Sequence, residues 1–496
     1  MSATAERSPF FEAMRAGPTR AVFLVCLIGG LSEFVPAFSP LSFFSPRKSS
    51  KVESPAPSEL PARLNVGEVE LTVESRSQEA MAIPKQVEAL RGGTTPIGSQ
   101  ESALDLPSIE AEASPVELLN PKGTALDKFF HALTQTQRKK ENAITRIAHF
   151  GDSVIVSDYV SGTLRQKLQA TFGDAGHGYM IIANAWPAYF HNDVFRFATK
   201  GFQVSRIVGP LAKDELYGLG GVSFTASRGT IAQFGTAEQG DFGKQVSRFE
   251  FSYLAHPEGG VFEIWVDGKS QGPVDSHSEQ TETRRWVISV PDGAHRFELR
   301  HVTGTTRSFG VVLERDRPGV VLDALGVQGA RIRFLDKHKD THFAEELKWR
   351  NPQLVTYQFG ANESGDGYAY PMDEYLKTMK EVIVQGQKAL PESSCLIIGA
   401  MDRARVEDGV TTSMKIIQLI VEQQERAARE LGCAYFDTYR AMGGWGSMPT
   451  WVRRGLGQAD MTHPSGVGAI RLGTWIFGAL MKEYDLYLKR RSAGPP

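Results

Sequence analysis

An apolar run that ends in a Gly-Asp-Ser corner and feeds a helical pattern constrains the fold of this chain most. The run extends over 144–151, and apolar residues at helical spacing follow over 158–172. A strand that leads into a helix in this way is the unit of an α/β sheet, which binds ligands at the carboxyl ends of its strands. Ser153 is therefore a candidate nucleophile, although a serine in a bare Gly-Asp-Ser is more commonly only a helix cap.

Two distant segments supply the groups that a serine nucleophile needs. Asp460 precedes His463 by three positions, so one short loop can carry a base and the carboxylate that orients it. A strand-like run leads into Asn362, whose amide is placed to donate to a developing oxyanion. Together with Ser153, these residues predict acyl transfer through a Ser-His-Asp triad.

The order Gly-Asp-Ser, Gly-X-Asn-Glu and Asp-X-X-His resembles the motifs of the SGNH (GDSL-type) hydrolase superfamily, roughly over 144–182 and 320–485. The resemblance implies a flavodoxin-like three-layer α/β domain with a parallel sheet. It also implies a carboxylic ester hydrolase with Ser153 as nucleophile, His463 as base and Asp460 as the partner of that base. No metal or organic cofactor is expected.

The same resemblance implies an oxyanion hole formed by Ser153, Gly329 and Asn362. Gly329 is assigned because Leu325-Gly326-Val327-Gln328-Gly329-Ala330 is similar to the second motif of the superfamily, and Gly326 is the second choice. Glu363 stands where the superfamily usually has Asp, which leaves the role of Asn362 intact.

Far more residues separate Ser153 from Gly329 than the roughly 30 that one βαβ unit needs. Short alternating strands with Gly and Asp turns occupy this interval and predict an inserted jelly-roll or β-sandwich module at 195–318. One hairpin is expected at Asp267-Gly268, and another strand pair is expected on either side of 291–293. This interrupted arrangement resembles bacterial peptidoglycan O-acetylesterases, whose insert is similar to carbohydrate-binding modules.

The hydrolase domain is accordingly predicted in two parts, at 119–194 and at 319–496. From 320 onward, strands alternate with helices of 10–20 residues, as in a doubly wound sheet. Thr412 is expected to be the N-cap of one helix and Gly432 its C-terminal stop. The pair Asp402-Arg403 follows a strand and is a candidate for lining the cleft.

The N-terminal residues 1–44 are predicted to be a signal peptide or a signal anchor. Two arginines precede an apolar run at 21–31, and Glu33 and Pro36 interrupt it before the length of a full membrane span. Residues 45–118, rich in Ser, Pro and Glu, are predicted to be a disordered linker. The protein is therefore expected to be exported to the periplasm or cell envelope, with N-terminal membrane association as an option.

Charge and cysteine content exclude several classes of protein. A formal net charge of −2 and the lack of a sustained basic stretch argue against nucleic-acid binding. The chain has 3 cysteines, too few for a disulfide scaffold, and no His/Cys cluster has metal-ligand spacing. Cys395 and Cys433 each start a strand-like run and are predicted to be buried free thiols rather than a bridge.

The favoured substrate is an O-acetyl group on a cell-envelope polysaccharide, with peptidoglycan first. Trp186, Tyr189 and His191 precede the insert and are candidates for stacking on a sugar ring, with packing at the seam between the domains as the alternative. Two other functions remain open at this point. One is an O-acetyltransferase that uses the same triad, and the other is a non-catalytic glycan-binding scaffold.

Overall fold

The computed structural model of the 496-residue chain describes residues 111–492. The signal segment predicted at 1–44, and the linker predicted at 45–118 up to residue 110, lie outside the described residues. Within the described part, no helix is both long enough and apolar enough to span a lipid bilayer.

The helices and strands of the described residues are numbered in chain order. The α-helices are α1 (Asp127–Gln137), α2 (Ser153–Val156), α3 (Tyr159–Phe172), α4 (Asp340–Arg350), α5 (Met372–Ala389), α6 (Ile416–Leu431), α7 (Thr438–Met442), α8 (Ser447–Arg453) and α9 (Gly466–Ser492). Short 3-10 helices lie at Pro121–Gly123, Ile332–Lys337 and Glu363–Ala369. The strands are β1 (Ile144–Gly151), β2 (Gly178–Ile181), β3 (Val194–Ala198), β4 (Gln203–Arg206), β5 (Val222–Ser227), β6 (Ile231–Thr236), β7 (Val246–Ala255), β8 (Val261–Val266), β9 (Lys269–Asp275), β10 (Glu282–Gly293), β11 (Arg296–Thr303), β12 (Thr305–Glu314), β13 (Gly319–Gly326), β14 (Leu354–Gln358), β15 (Ser394–Ile398), β16 (Ala404–Glu407), β17 (Val410–Ser413) and β18 (Ala434–Phe436).

A five-stranded parallel sheet in the order β13-β1-β14-β15-β18 forms the centre of the α/β part. Its strands are almost entirely buried because helices cover both faces of the sheet. On β1, Ile147 packs in one core cluster with α1, α3 and α9, while Phe150 packs in the other with α4, α5 and α6. The predicted three-layer α/β fold is thereby confirmed.

Two antiparallel sheets form the inserted part. One has the order β10-β7-β12-β5-β4 with β2 pairing to β12, and the other has the order β3-β6-β11-β8-β9. Aromatic side chains from both sheets form one core, with Phe251 of the first sheet 5.0 Å from Phe262 of the second, measured between ring centroids. The all-β insert is confirmed as a sandwich of two sheets.

The two predicted strand pairs of the sandwich have different outcomes. β8 and β9 form the expected hairpin, with Asp267 (φ 49°) and Gly268 (φ 73°) in the left-handed conformations that a tight turn requires. β10 and β11 do not pair, since β10 pairs with β7 while β11 pairs with β6 and β8. The expected second hairpin was wrong because the link after Gly293 carries the chain from one sheet to the other.

The two sulfur atoms of Cys395 and Cys433 form a disulfide, so the prediction of free thiols was wrong. Cys395 lies on β15, and Cys433 immediately precedes β18, the neighbouring parallel strand. Both cysteines therefore enter the sheet at the same end, and their Cα atoms are 4.7 Å apart. That separation lies within the range that a disulfide can bridge.

The last residues of the predicted linker belong to the folded domain. Leu118 is buried, and Leu119 exchanges two backbone hydrogen bonds of 2.9 Å with Tyr435 of β18. The carbonyl oxygen of Glu112 lies so close to Gly478 of α9 that a Cβ at that position would clash with it. From residue 112 onward, this segment is therefore packed against the α/β part.

The two predicted boundaries of α6 also have different outcomes. Gly432 ends the helix in the left-handed conformation, with φ of 68°, as predicted. Thr412 is not an N-cap, because it lies in β17 and pairs with Arg405 of β16. The helix begins at Ile416, and the hairpin before it uses the residues that resembled a helix start.

Candidate active site

The Gly-Asp-Ser corner places Ser153 at the start of α2, directly after β1. Gly151 pairs with Gly326 on one side and with Gln358 on the other, so the corner lies between two neighbouring strands. A Cβ at Gly151 would clash with the side chain of Ile155, and glycine therefore permits the turn. The Asp152 carboxylate caps α2 by accepting the N–H of Val154 at 3.1 Å.

The structure brings Ser153, His463 and Asp460 into one hydrogen-bonded chain. Oγ of Ser153 lies 2.8 Å from Nε2 of His463, and Nδ1 of His463 lies 2.6 Å from Oδ2 of Asp460. A carboxylate at Nδ1 favours the tautomer with its proton there, which leaves Nε2 free to accept the serine proton. The arrangement has the geometry of a nucleophile, a general base and an orienting carboxylate.

The loop of Asp460 is folded around its own carboxylate. Oδ1 accepts the N–H groups of Thr462 at 2.9 Å and His463 at 3.0 Å. Burial raises the pKa of Asp460, but the hydrogen bonds from His463 and Thr462 outweigh it and hold that pKa below its usual value. The carboxylate is thus ionised at neutral pH and fixed against the imidazole.

Three candidate oxyanion donors follow three adjacent strands. Ser153 follows β1, Gly329 (φ 77°) follows β13, and Asn362 follows β14. Nδ2 of Asn362 donates to the carbonyl oxygen of Ala330 at 2.9 Å, which fixes the orientation of the amide beside Gly329. Within 111–492, neither the Ser153 N–H nor the Gly329 N–H has a hydrogen-bond acceptor.

Gly326, the second choice for the oxyanion glycine, lies in close contact with α2. A Cβ at this position would clash with the backbone nitrogen of Val156 in α2. Glycine is therefore needed at this position because α2 lies close to β13. Gly329, by contrast, has open space around it.

Two buried carboxyl groups lie beneath the candidate oxyanion loops. Burial raises the pKa of Asp152 to about 6, against the hydrogen bond from the Val154 N–H. Burial also raises the pKa of Glu363 to about 7, against the hydrogen bond from the Ile332 N–H at 2.9 Å. Through that bond, Glu363 joins the segment after Asn362 to the segment after Gly329. In the sequence, Glu363 stands out only as a departure from the motif, and no local signal indicates this contact.

The three candidate sugar-stacking residues are buried. Trp186 is 6% exposed, and Tyr189 and His191 are each 5% exposed. The Tyr189 hydroxyl accepts the Ile181 N–H at 3.2 Å, and Nδ1 of His191 lies 2.9 Å from Nε2 of His177. A buried ring has no free face for a sugar, so the packing alternative describes these residues. Burial lowers the pKa of His191 to about 3.

No protein-family model matches the chain, and no curated protein matches it. A solved structure described as "Peptidoglycan O-acetylesterase in action" is similar, with 20% identity, 74% of this chain and 99% of that chain covered, and a TM-score of 0.63. A family two carbohydrate esterase from Cellvibrio japonicus has 12% identity, 59% and 98% coverage of the two chains, and a TM-score of 0.24. By the first similarity, the chain has the fold of that O-acetylesterase structure, and in this chain that fold is a parallel α/β sheet domain interrupted by a β-sandwich.

Proposed function

We propose that the protein is a serine esterase that removes O-acetyl groups from a cell-envelope polysaccharide, with peptidoglycan as the first candidate. The observation that carries the proposal is the hydrogen-bonded chain from Asp460 through His463 to Ser153, with distances of 2.6 and 2.8 Å. The shared fold with a peptidoglycan O-acetylesterase supports the choice of an acetyl ester on a glycan.

In the proposed reaction, Nε2 of His463 accepts the Ser153 proton as Oγ attacks the ester carbonyl carbon. The tetrahedral oxyanion accepts hydrogen bonds from the N–H groups of Ser153 and Gly329 and from the Asn362 amide. One such donor typically contributes about 3 kcal/mol of transition-state stabilisation. Asp460 stabilises the imidazolium that forms during this step.

The second half of the reaction releases acetate. His463 protonates the departing sugar oxygen, and the acetyl group remains as an ester on Ser153. Water then donates a proton to His463 as its oxygen attacks the carbonyl carbon of that ester, and His463 returns the proton to Oγ of Ser153 as acetate leaves. Apart from the ester and water, these steps use only side chains and backbone groups of the chain.

The disulfide supports the proposed location of the protein in the periplasm or cell envelope. Structural disulfides persist in oxidising compartments such as the periplasm and are rare in the cytosol. The Cys395–Cys433 bridge therefore agrees with the export signal predicted at 1–44.

The test is hydrolysis of p-nitrophenyl acetate by the wild-type protein and by Ser153→Ala. Ser157→Ala is the matched control, since Ser157 lies just past the end of α2. We expect loss of activity for Ser153→Ala and near wild-type activity for the control. Equal rates for all three proteins would remove the esterase proposal and leave a glycan-binding scaffold.

The substrate is tested by acetate release from O-acetylated peptidoglycan and from acetylated xylan. Faster Ser153-dependent release from peptidoglycan supports the proposal, and faster release from xylan contradicts that choice of glycan. An O-acetyltransferase would instead transfer the acetyl group to an added glycan acceptor, which product analysis detects.

A further inference from the structure

We propose that Arg403 is a positioning residue that holds the Asn362 loop and the His463 loop in a fixed relation to each other. The inference rests on the proposed esterase function and concerns the same site. It assigns Arg403 an indirect role through its neighbours, and Asn362 and His463 remain the groups that meet the substrate.

One guanidinium group bridges the two loops. Nε of Arg403 donates to Oγ1 of Thr462 at 3.0 Å, and Thr462 directly precedes His463. Nη1 of Arg403 donates to the carbonyl oxygen of Ala361 at 2.8 Å and to Oγ of Ser364 at 2.9 Å. The planar fork of a guanidinium suits such a bridge, because its donors have fixed mutual directions.

The backbone that carries Arg403 is itself anchored on both sides. The Arg403 carbonyl oxygen accepts the Met414 N–H at 2.7 Å, and the Ala404 N–H donates to the Met461 carbonyl oxygen at 3.0 Å. Arg403 thus starts from the base of the β16–β17 hairpin, which is already bonded to the loop of His463. Because the backbone of Arg403 is held in place, its guanidinium can fix the positions of the two loops.

The Asp402 side chain also anchors the base of this hairpin. Its buried carboxylate accepts Oγ–H of Ser413 at 2.7 Å and the N–H of Met448 at 2.8 Å. Asp402 therefore does not line the cleft, contrary to the prediction for the pair. It anchors the segment from which Arg403 reaches the two loops.

The Ala361 peptide connects this bridge to the nucleophile corner. Its carbonyl oxygen accepts both Nη1 of Arg403 at 2.8 Å and Oγ–H of Ser364 at 2.7 Å. Burial raises the pKa of the Asp152 carboxyl group beside Ser153, and the Ala361 N–H acts against that rise. A shift of Ala361 would move Asn362, the next residue, relative to Ser153.

The experiment compares Arg403→Ala and Arg403→Lys with the wild type on p-nitrophenyl acetate. Displacing reacting groups by about 1 Å typically costs on the order of 100-fold in rate, so we expect kcat for Arg403→Ala to fall about 10- to 100-fold. KM for this small ester should change much less than kcat. Millimolar guanidinium ion should partly restore kcat to Arg403→Ala but not to Ser153→Ala.

Arg405→Ala is the matched control, because Arg405 lies on the same hairpin and pairs with Glu407 on the surface. It should retain wild-type kcat. The thermal midpoint of each variant shows whether it is folded. A wild-type kcat in Arg403→Ala overturns the inference. A lower kcat also overturns it if guanidinium ion does not restore activity and the thermal midpoint of the variant is lowered. If Ser153→Ala hydrolyses the ester as fast as the wild type, both the proposed function and this inference fail. A fully active Arg403→Ala removes this inference alone.

Discussion

The carboxylate of Glu314 accepts a hydrogen bond from the buried guanidinium of Arg350 at 2.8 Å, across the boundary between the sandwich and the α/β part. Arg350 also binds Asp323 of β13 at 2.8 and 2.9 Å. Arg146 of β1 donates to Glu314 at 2.9 and 2.7 Å. Buried ion pairs therefore join the last strand of the insert to the parallel sheet.

We expect Glu314→Gln to lower the free energy of unfolding by about 3 kcal/mol at neutral pH, because it leaves buried arginine charge without its partner. Burial opposes ionisation of Glu314, but Arg350 and Arg146 outweigh it and hold its pKa well below the usual value. This stabilisation is present above the unfolded-state pKa and is lost as the pH falls toward the folded-state pKa. Urea denaturation measures the change, with the surface variant Glu430→Gln as control. Equal effects of both variants would contradict the prediction.

Asn362→Ala should lower kcat for p-nitrophenyl acetate by about 100- to 1000-fold and leave KM nearly unchanged. The reason is that an oxyanion donor acts mainly in the transition state. Steady-state kinetics distinguishes this from a binding defect, which would raise KM instead. Asn184→Ala, at an exposed position outside the site, serves as the control. A kcat within a few-fold of wild type would remove Asn362 from the oxyanion hole.

Reduction of the Cys395–Cys433 bridge should destabilise the protein by about 2–4 kcal/mol, because the unfolded chain regains the freedom of the closed loop. The two cysteines are 38 positions apart in the sequence. Urea midpoints with and without dithiothreitol measure the effect, and thiol titration reports the bridge itself. Cys26→Ser should keep the response to reductant, whereas Cys395→Ser should abolish it. A response that persists in Cys395→Ser would contradict the assignment.

Glu363 should make the protein less stable as the pH rises. Burial raises its pKa from 4.5 to about 7, so the folded state holds a proton that the unfolded state has lost. The associated stability is complete below the unfolded-state pKa and disappears as the pH rises through the folded-state value. Relative to Glu363→Gln, the wild type should lose on the order of 3 kcal/mol between about pH 5 and pH 8. Glu407→Gln, at an exposed site, is the control, and parallel pH profiles for Glu363→Gln and wild type would refute the prediction.

The local sequence signals were sufficient for the parts of the fold that depend on neighbouring residues. The β1 strand, the corner at Ser153 and the helix after it follow from apolar spacing and small turn residues. The approach of Asn362 to Ser153 was predictable because strands of a parallel sheet present their carboxyl ends at one edge. His463 lies between α8 and α9, so its approach to Ser153 was expected from the order of the motifs and not from the strand ends.

The features that could not be predicted from the sequence depend on which strands, loops and side chains lie next to each other in the folded protein. The disulfide requires β15 beside β18, and the separation of β10 from β11 requires knowledge of two sheets. The Arg403 bridge joins loops whose contacts are 39–59 positions apart in the chain, and no local pattern encodes them. The burial of Tyr189 likewise depends on tertiary packing.

Strand β2 precedes the interval predicted for the insert, yet it hydrogen-bonds to β12 from Gly178 to Ile181. Excising residues 195–318 would remove this neighbouring strand and leave the backbone groups of β2 without their hydrogen-bond partners, as an exposed sheet edge. The same cut would deprive Arg350 of Glu314. A minimal hydrolase made by shortening the chain would therefore need a new partner strand, and the sandwich is not a detachable accessory.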